Sequence, residues 1–587
     1  MKRYLSAASW GCAIALMSLG CTVGHAAAAY GNRALYVATN GSDSNDGSIP
    51  DWDGTGTVGP LATPGRALQL ANDLASSDPP VAIDFIYLRA RSFAPVDRRY
   101  TITRTLSITK PGLTISTYPA DPARAAIVAG TKANSPVSVI AVYASGVTVA
   151  NLEIQGGAYY GIKLDDADGA QKDQAIIGNY IHHTGRDGIK AQRADNVRIE
   201  DNEIGPTGVR DASNAEGIDV IGSIVATIRG NYIHDITTNG LYVKGGTRYA
   251  VVEKNLVVNT AYAGILLGSE TDAEFIRNHA GNYGDSDGSN DPDGHEALDS
   301  VARNNIVVNA GMAGVGTVAG RNVEFFNNTL VNVARTHQGA FRAAPNQHGT
   351  LPQQFTFKNN VAILDASSSR PLVYLSKACG LTSDHNLWFS TGGPYNFVLD
   401  STPCGSATYS SLLAWRNGTG HDAHSVDLDA AGLQPGLDGN DLYRPLAGSP
   451  ANDAGAPLAT VSDDYLGVPR PQGSGHDVGA QERAVSVAPP PSLPAAPLSL
   501  DAESSASHVS LRWSDGNATD DQIGFRIERS ADGGKTYAMI AVVPTTQVDY
   551  ADSDVAPATT YSYRVAAYNG TGISPYSNVE TVKTPRR

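Results

Sequence analysis

Gly188-Ile189-Lys190-Ala191-Gln192, Gly217-Ile218-Asp219-Val220-Ile221 and Gly240-Leu241-Tyr242-Val243-Lys244 are three copies of one five-residue pattern, flanked by Gly161-Ile162-Lys163-Leu164-Asp165 and Gly264-Ile265-Leu266-Leu267-Gly268. The second and fourth positions are Ile, Leu, Val or Ala throughout, while the third and fifth vary. That is the period of a strand with one buried face. A turn, another short apolar strand and an asparagine follow each copy. Asn179, Asn202, Asn231, Asn255, Asn278, Asn305, Asn328 and Asn360 recur 23 to 32 residues apart. A helical repeat would carry apolar residues at i, i+3 and i+4, which these units lack. One coil of a parallel β-helix fits them, with three short strands per turn and asparagines stacked at a bend. The uneven spacings are then insertions at corners, where solenoids usually carry function.

Outward from the repeat, which runs from about residue 100 to 365, the ends read as structural. An amphipathic helix around 65–75 is expected to cover the open end of the core. The Gly/Asp/Pro-rich stretch from about 430 to 485 reads as a tail. Residues 486–497 contain Pro489, Pro490, Pro491, Pro494 and Pro497, a stiff extended linker. Beyond it, His508–Trp513, Gly524–Arg529 and Tyr561–Tyr568 alternate with period two between turn signals, as in an antiparallel sandwich. With Trp513 as core tryptophan and Thr560-Tyr561-Ser562-Tyr563-Arg564-Val565 before Asn569-Gly570, this segment resembles a fibronectin type III domain. The expected fold is all-β: a right-handed parallel β-helix over 30–485, then an immunoglobulin-like sandwich over 498–587.

The whole chain of 587 residues is 41% hydrophobic and 17% charged, which excludes a disordered chain or a coiled coil. Residues 1–29 read as an export signal: Lys2 and Arg3, an apolar run from Ala13 to Leu19, then small residues after His25. Loss of those two cations takes the net charge from −15 to −17. A nucleic-acid partner needs a basic stripe and is not expected. No segment reaches the roughly 20 apolar residues of a membrane span. The expected product is a monomer secreted to an extracellular or periplasmic space, with a lipoprotein through Cys21 as the less favoured route. Cys379 and Cys404 remain in the mature chain, either as a disulfide or as two buried thiols.

Stacking the G-I strands at about 4.8 Å per coil gathers distant residues on one outward face. Asp187, Glu216 and Asn239 precede the glycines. Lys163, Lys190, Asp219 and Tyr242 share the third position, and Asp165, Gln192, Ile221 and Lys244 the fifth. Three carboxylates meeting without obvious basic partners repel one another, and a hard cation with oxygen ligands relieves that. Calcium is the natural choice outside the cell. The chemistry that uses such a face is β-elimination from a uronic acid polymer, with Lys244 as the base. Arg186, Lys190 and Arg193 are positioned to meet further substrate carboxylates, with Tyr242 as a ring platform. The rival for each is an ordinary solvated side chain. A second acidic run, Asp285, Asp287, Asp291, Asp293 and Glu296, has the spacing of a calcium loop, but Asn290 stands where the turn glycine belongs. It reads equally as a solvated loop. His295 beside it is a weak candidate for a substrate contact.

The leader, the Asn40-Gly41-Ser42-Asp43 start, the asparagine-marked coils and the acid–lysine face together resemble family 9 polysaccharide lyases, of which pectate lyases are the familiar members. The likeness covers about residues 33–365, as architecture more than continuous identity. It implies a calcium cluster of aspartates on adjacent coils, matched by Asp187, Glu216 and Asp219, and a lysine base, matched by Lys244. Glu216 stands where aspartate is usual, and Ala215 occupies a further ligand position. The expected activity is cleavage of pectate or a related acidic polysaccharide. A glycoside hydrolase using Glu216 and Asp219, or a non-catalytic carbohydrate-binding solenoid, would share the fold.

Overall fold

A computed structural model describes residues 33–586 apart from 53, 55, 166–170, 273–274, 278–293, 365–369, 392–394, 429–434, 440, 484–492, 506, 517–521 and 570–571. The leader and the four aspartates of the 285–293 run lie outside the described residues.

Each coil contributes one short strand to each of three long sheets of 13, 12 and 12 strands. Strand Ile189–Gln192 belongs to the second sheet, Val197–Glu200 to the first and Glu203–Ile204 to the third, after which Ile218–Ile221 returns to the second. Neighbours in the stack are parallel throughout the repeat. Ile162, Ile189, Ile218, Leu241 and Ile265 form one column of a continuous interior, all 0% exposed.

The bend between the first and third sheets has a two-residue recipe. A left-handed residue comes first: Gly178, Asp201, Gly230, Lys254, Asn304, Asn327, Asn359 and His385 all have positive φ. The ladder asparagine follows. Asn231 shows why the residue type matters: its Oδ1 accepts the N–H of Asn202 at 3.0 Å, and its Nδ2 donates to Ile199 O at 2.8 Å and Asn255 Oδ1 at 3.0 Å. One amide thus satisfies the buried N–H of Asn202, which lies between two strands, and adds a donor to the carbonyl of Ile199. The ladder departs from expectation in two places. Asn255 donates its N–H directly to Asn305 Oδ1, 50 residues on, and the expected rung Asn278 lies outside the described residues. Asn386 extends the ladder beyond Asn360.

Helix Pro64–Ala75 closes the first end, with Thr63 accepting from Arg66 N and Pro64, Ala67, Leu68 and Ala71 buried. Helix Leu412–Thr419 closes the other, its Trp415 stacked on Phe397 at 5.2 Å. Cys379 and Cys404 form a disulfide beside that end. The tail returns along the third sheet: Asn327 Nδ2 donates to Asp477 O, and Arg470 is ion-paired with Glu482 in full burial.

The sandwich consists of Leu498–Ser504, Val509–Ser514 and Asp549–Asp552 against a five-stranded sheet built on Gly524–Ser530 and Thr560–Asn569. Trp513 packs edge-on to Phe525. The sandwich is docked on the solenoid. Tyr232, Leu256 and Ile306 of the third sheet share one apolar cluster with Tyr550, Tyr568 and Val542. Arg124 meets Asp549 at 3.4 Å. The second sheet, which carries the candidate site, does not take part in that cluster. No helix among the described residues is long and apolar enough to cross a membrane.

Candidate functional site

Register on the second sheet sets Lys163, Lys190, Asp219, Tyr242 and Leu266 side by side, with Gln192, Ile221 and Lys244 two residues further along. The glycines before these strands permit the stacking. A Cβ on Gly217 would lie 2.4 Å from Gly240 O, so any side chain would push the coils apart.

The three acids point away from the coil interior, yet they are buried. Asp187 is 2% exposed, Glu216 5% and Asp219 1%. Lys190 lies across them: its ammonium contacts Asp219 Oδ2 and sits 3.8 Å from Asp187 Oδ2. The acids therefore do have a basic partner, and Lys190 is not a free cation awaiting a substrate carboxylate. Asp187 Oδ1 accepts the N–H of Glu216 at 3.2 Å, and Glu216 Oε1 accepts from Thr238 Oγ1 at 2.9 Å and Asn239 Nδ2 at 3.4 Å. Two carboxylate oxygens, Glu216 Oε2 and Asp219 Oδ1, are buried without a hydrogen bond.

Electrostatics follow from this crowding. Burial, with the charge of Glu216 added, pushes the Asp187 carboxyl well above the usual aspartate range. Burial works against the Lys190 ammonium, but Asp219 and Asp187 outweigh it and hold the proton on. A lysine fixed in that state cannot act as a base.

Lys244 sits differently. Its ammonium lies 4.5 Å from the centre of the Tyr242 ring and donates to Glu270 O at 3.0 Å, and among the described residues no carboxylate is bonded to it. It occupies the same outward face as Asp219, one coil on and two residues along. The turn behind it is braced by Glu296, which accepts from Gly245 N at 2.9 Å, Thr271 N at 3.2 Å and Asn346 Nδ2 at 3.1 Å. Glu296 is fully buried and its oxygens are used in this way, so it is not an exposed loop ligand.

The remaining candidates differ in burial, Arg186 and Arg193 being partly exposed and Tyr242 and His295 buried. Tyr242 is 4% exposed and packs with Ala263, Leu266 and Ala313 in a small outer cluster, so its face is not an open platform. Arg186 is paired with Asp211 at 2.7 Å and lies over Tyr159. Arg193 ends its strand in a left-handed conformation, its N–H donating to Ile221 O. His295 is buried. Tyr160 is a residue the sequence reading passed over: it precedes Gly161 in the same column as Asp187 and Glu216, and its ring centre is 5.8 Å from the Lys190 ammonium. Extending the pre-glycine column by one coil would have found it.

The donor set of Asp187, Glu216 and Asp219 fits a hard divalent cation. All are oxygen ligands, two oxygens are orphaned in burial, and the net charge with Lys190 included stays negative when all three are ionised.

Residues 169–362 match the family described as right handed beta helix region, and residues 491–583 match the fibronectin type III domain. The solenoid is thus a right-handed parallel β-helix and the C-terminal sandwich a fibronectin type III domain. No curated protein sequence matches the chain. Among solved structures, pectate lyase Pel9A aligns at TM-score 0.43 and 16% identity, covering 77% of this chain and 96% of that one. An alginate lyase from Paenibacillus sp. str. FPU-7 aligns at 0.36 and 17%, covering 56% and 95%. A GH136 lacto-N-biosidase from Eubacterium ramulus aligns at 0.40 and 15%, covering 61% and 64%. At such scores none of these likenesses selects a chemistry.

Proposed function

We propose that the second sheet carries the active site of a secreted polysaccharide lyase that cleaves pectate or a related polyuronate by β-elimination, with Lys244 as base. The observation that carries this reading is the division of labour between two lysines on one face. Lys190 is locked as a cation by Asp219 and Asp187, whereas among the described residues Lys244 meets a carbonyl and an aromatic ring and no bonded carboxylate. Were Glu216 and Asp219 a hydrolytic pair, they would need access to a glycosidic bond, and both are buried beneath Lys190 and its neighbours.

In the reaction, the unprotonated Lys244 amine takes the proton from C5 of the uronate. The electron pair forms the C4–C5 double bond, the C4–O bond breaks, and the departing oxygen takes a proton from water. Asp187, Glu216 and Asp219 would hold calcium, which would supply neutralisation of the charge that grows on the uronate carboxylate. Lys190 keeps the acids from repelling one another, and the Lys244 ammonium rests over the Tyr242 ring. The fibronectin type III domain sits on another face, where it leaves the site clear.

The test is incubation of the mature chain with polygalacturonate and with alginate at alkaline pH, with calcium or with chelator. Near-ultraviolet absorbance from unsaturated ends, abolished by chelator, is the expected result. New reducing ends without absorbance would instead mean a hydrolase, and neither signal would mean a binding solenoid.

A further inference from the structure

At the last coil, far along the stack from the acid–lysine face, Asp384, His385 and His424 bring their ligand atoms within 4.8 Å of one another. The sequence hides this group, because His424 follows the other two by about 40 residues and belongs to the segment after the closing helix. Asp384 Oδ2 lies 2.7 Å from His424 Nδ1 and 3.3 Å from His385 Nδ1. The two imidazoles stack at 4.8 Å with 26° between their planes, so both Nδ1 atoms face the same carboxylate oxygen.

The aspartate is held for this task. Its other oxygen, Oδ1, accepts the backbone N–H of His385 at 2.9 Å and of His424 at 2.7 Å. That fixes the carboxylate plane and presents Oδ2 to the rings, as second-shell donors do around metals. His385 occupies the left-handed bend position that elsewhere holds Gly, Asp, Asn or Lys, with φ of 54°. Its Nδ1 is buried and makes no hydrogen bond. An imidazole turned inward with an idle nitrogen, beside a second imidazole and an anchored carboxylate, lacks a shared electrophile.

We propose that Asp384, His385 and His424 form a binding site for a zinc-class divalent transition metal ion, with water completing the coordination on the open side of His424. Ligands bound at about 2.0–2.2 Å in a tetrahedron stand roughly 3.3 Å apart, close to the separations present. Two nitrogens and one oxygen favour zinc, nickel or copper over calcium or magnesium, so this site is chemically separate from the acids of the second sheet. The ion fastens the closing segment to the solenoid. Ser425, next to His424, accepts the N–H of the last rung Asn386 at 2.8 Å, and the buried Asp422 accepts from Trp415, Ser383 and Ser425. Metal there ties the end of the asparagine ladder to the cap that covers it.

The experiment is calorimetric titration of the chelator-stripped full chain with Zn²⁺, repeated in millimolar calcium, with a thermal melt of each sample. We expect one site per chain at or below about 1 µM, unaffected by calcium, and a higher melting temperature with zinc. His424 is 68% exposed, so His424→Ala folds normally; it and Asp384→Asn should each weaken binding about 100-fold or more and lose the thermal response. No site tighter than about 100 µM, or tight binding that both substitutions leave intact, overturns the proposal. Failure here leaves the chemistry of Lys244 untouched.

Discussion

Lys190→Met removes the one cation that the structure places between Asp187 and Asp219. At 3.8 Å and an effective dielectric of about 20, the Asp187 contact alone is worth about 4 kcal/mol of attraction before desolvation. Breaking a buried pair by deleting one partner costs about 3–5 kcal/mol, because the remaining charges stay desolvated. Spread over a solenoid of roughly 400 residues at about 2.1 cal/mol/K each, that lowers the melting temperature by about 4–6 °C. The loss depends on pH with a definite sign. Burial and Glu216 already raise Asp187, so without Lys190 its protonated form carries the stability: the deficit is small near pH 5 and grows as pH rises. Calcium should restore more melting temperature to the variant than to the parent, since the lysine no longer competes for the acids. The assay is calorimetry of both proteins at pH 5 and 8, with chelator and with calcium. A variant within 1 °C of the parent under all four conditions would refute the claim that these acids are an under-neutralised cluster.

Other outcomes follow from the same geometry. Asn231→Ala strands the N–H of Asn202, at about 1–3 kcal/mol, and removes a donor from the carbonyl of Ile199, and amide hydrogen exchange should show Asn202 losing protection with its neighbouring coils. Unchanged protection there would mean that the ladder does not bear on stability. His234 lies in the third sheet beside the docked sandwich, stacked on Tyr232; burial opposes its charge, but Asp235 and Glu203 outweigh burial and lift it to about 9. Its contribution is complete below about pH 6.5 and is lost as pH rises through 9, at most about 3 kcal/mol, less because burial also raises its partner Glu203. Melting temperature should therefore fall between pH 6.5 and 9, and fall less in His234→Gln; parallel curves would contradict this. Tyr561→Phe removes the hydroxyl that accepts Ala556 N–H at 3.0 Å and should cost the sandwich about 1 kcal/mol in denaturant, where no change would discount that contact.

Much of the scaffold was legible because strand period and ladder spacing are local properties. The G-I copies gave register directly, since Lys190, Asp219 and Tyr242 align with no insertion inside a strand. Spacing alone does not identify a rung: the one after Asn255 is defined by a bond to Asn305, 50 residues on. At the site, the columns were readable but burial was not. Outward from a coil is not outward to water once long side chains lie along the sheet, so Lys190 read as a substrate cation when it neutralises the acids beneath it. Tyr242 read as a platform when it fills an outer apolar cluster. Glu296 counted as the last ligand of a loop, but three N–H donors from separate coils claim it, a convergence no local spacing encodes. His424 joins Asp384 only because the closing helix turns the chain back onto the last coil.

The central assignment, an amine on the second sheet that withdraws a carbon-bound proton, is tested most directly by the rate of unsaturated product release from polygalacturonate or alginate by Lys244→Ala at saturating calcium. The account predicts a fall of about 10²–10⁴-fold with melting temperature preserved, because among the described residues the side chain is bonded to Glu270 O alone and its ammonium rests on a ring. A folded variant that releases unsaturated product within tenfold of the parent rate would contradict it.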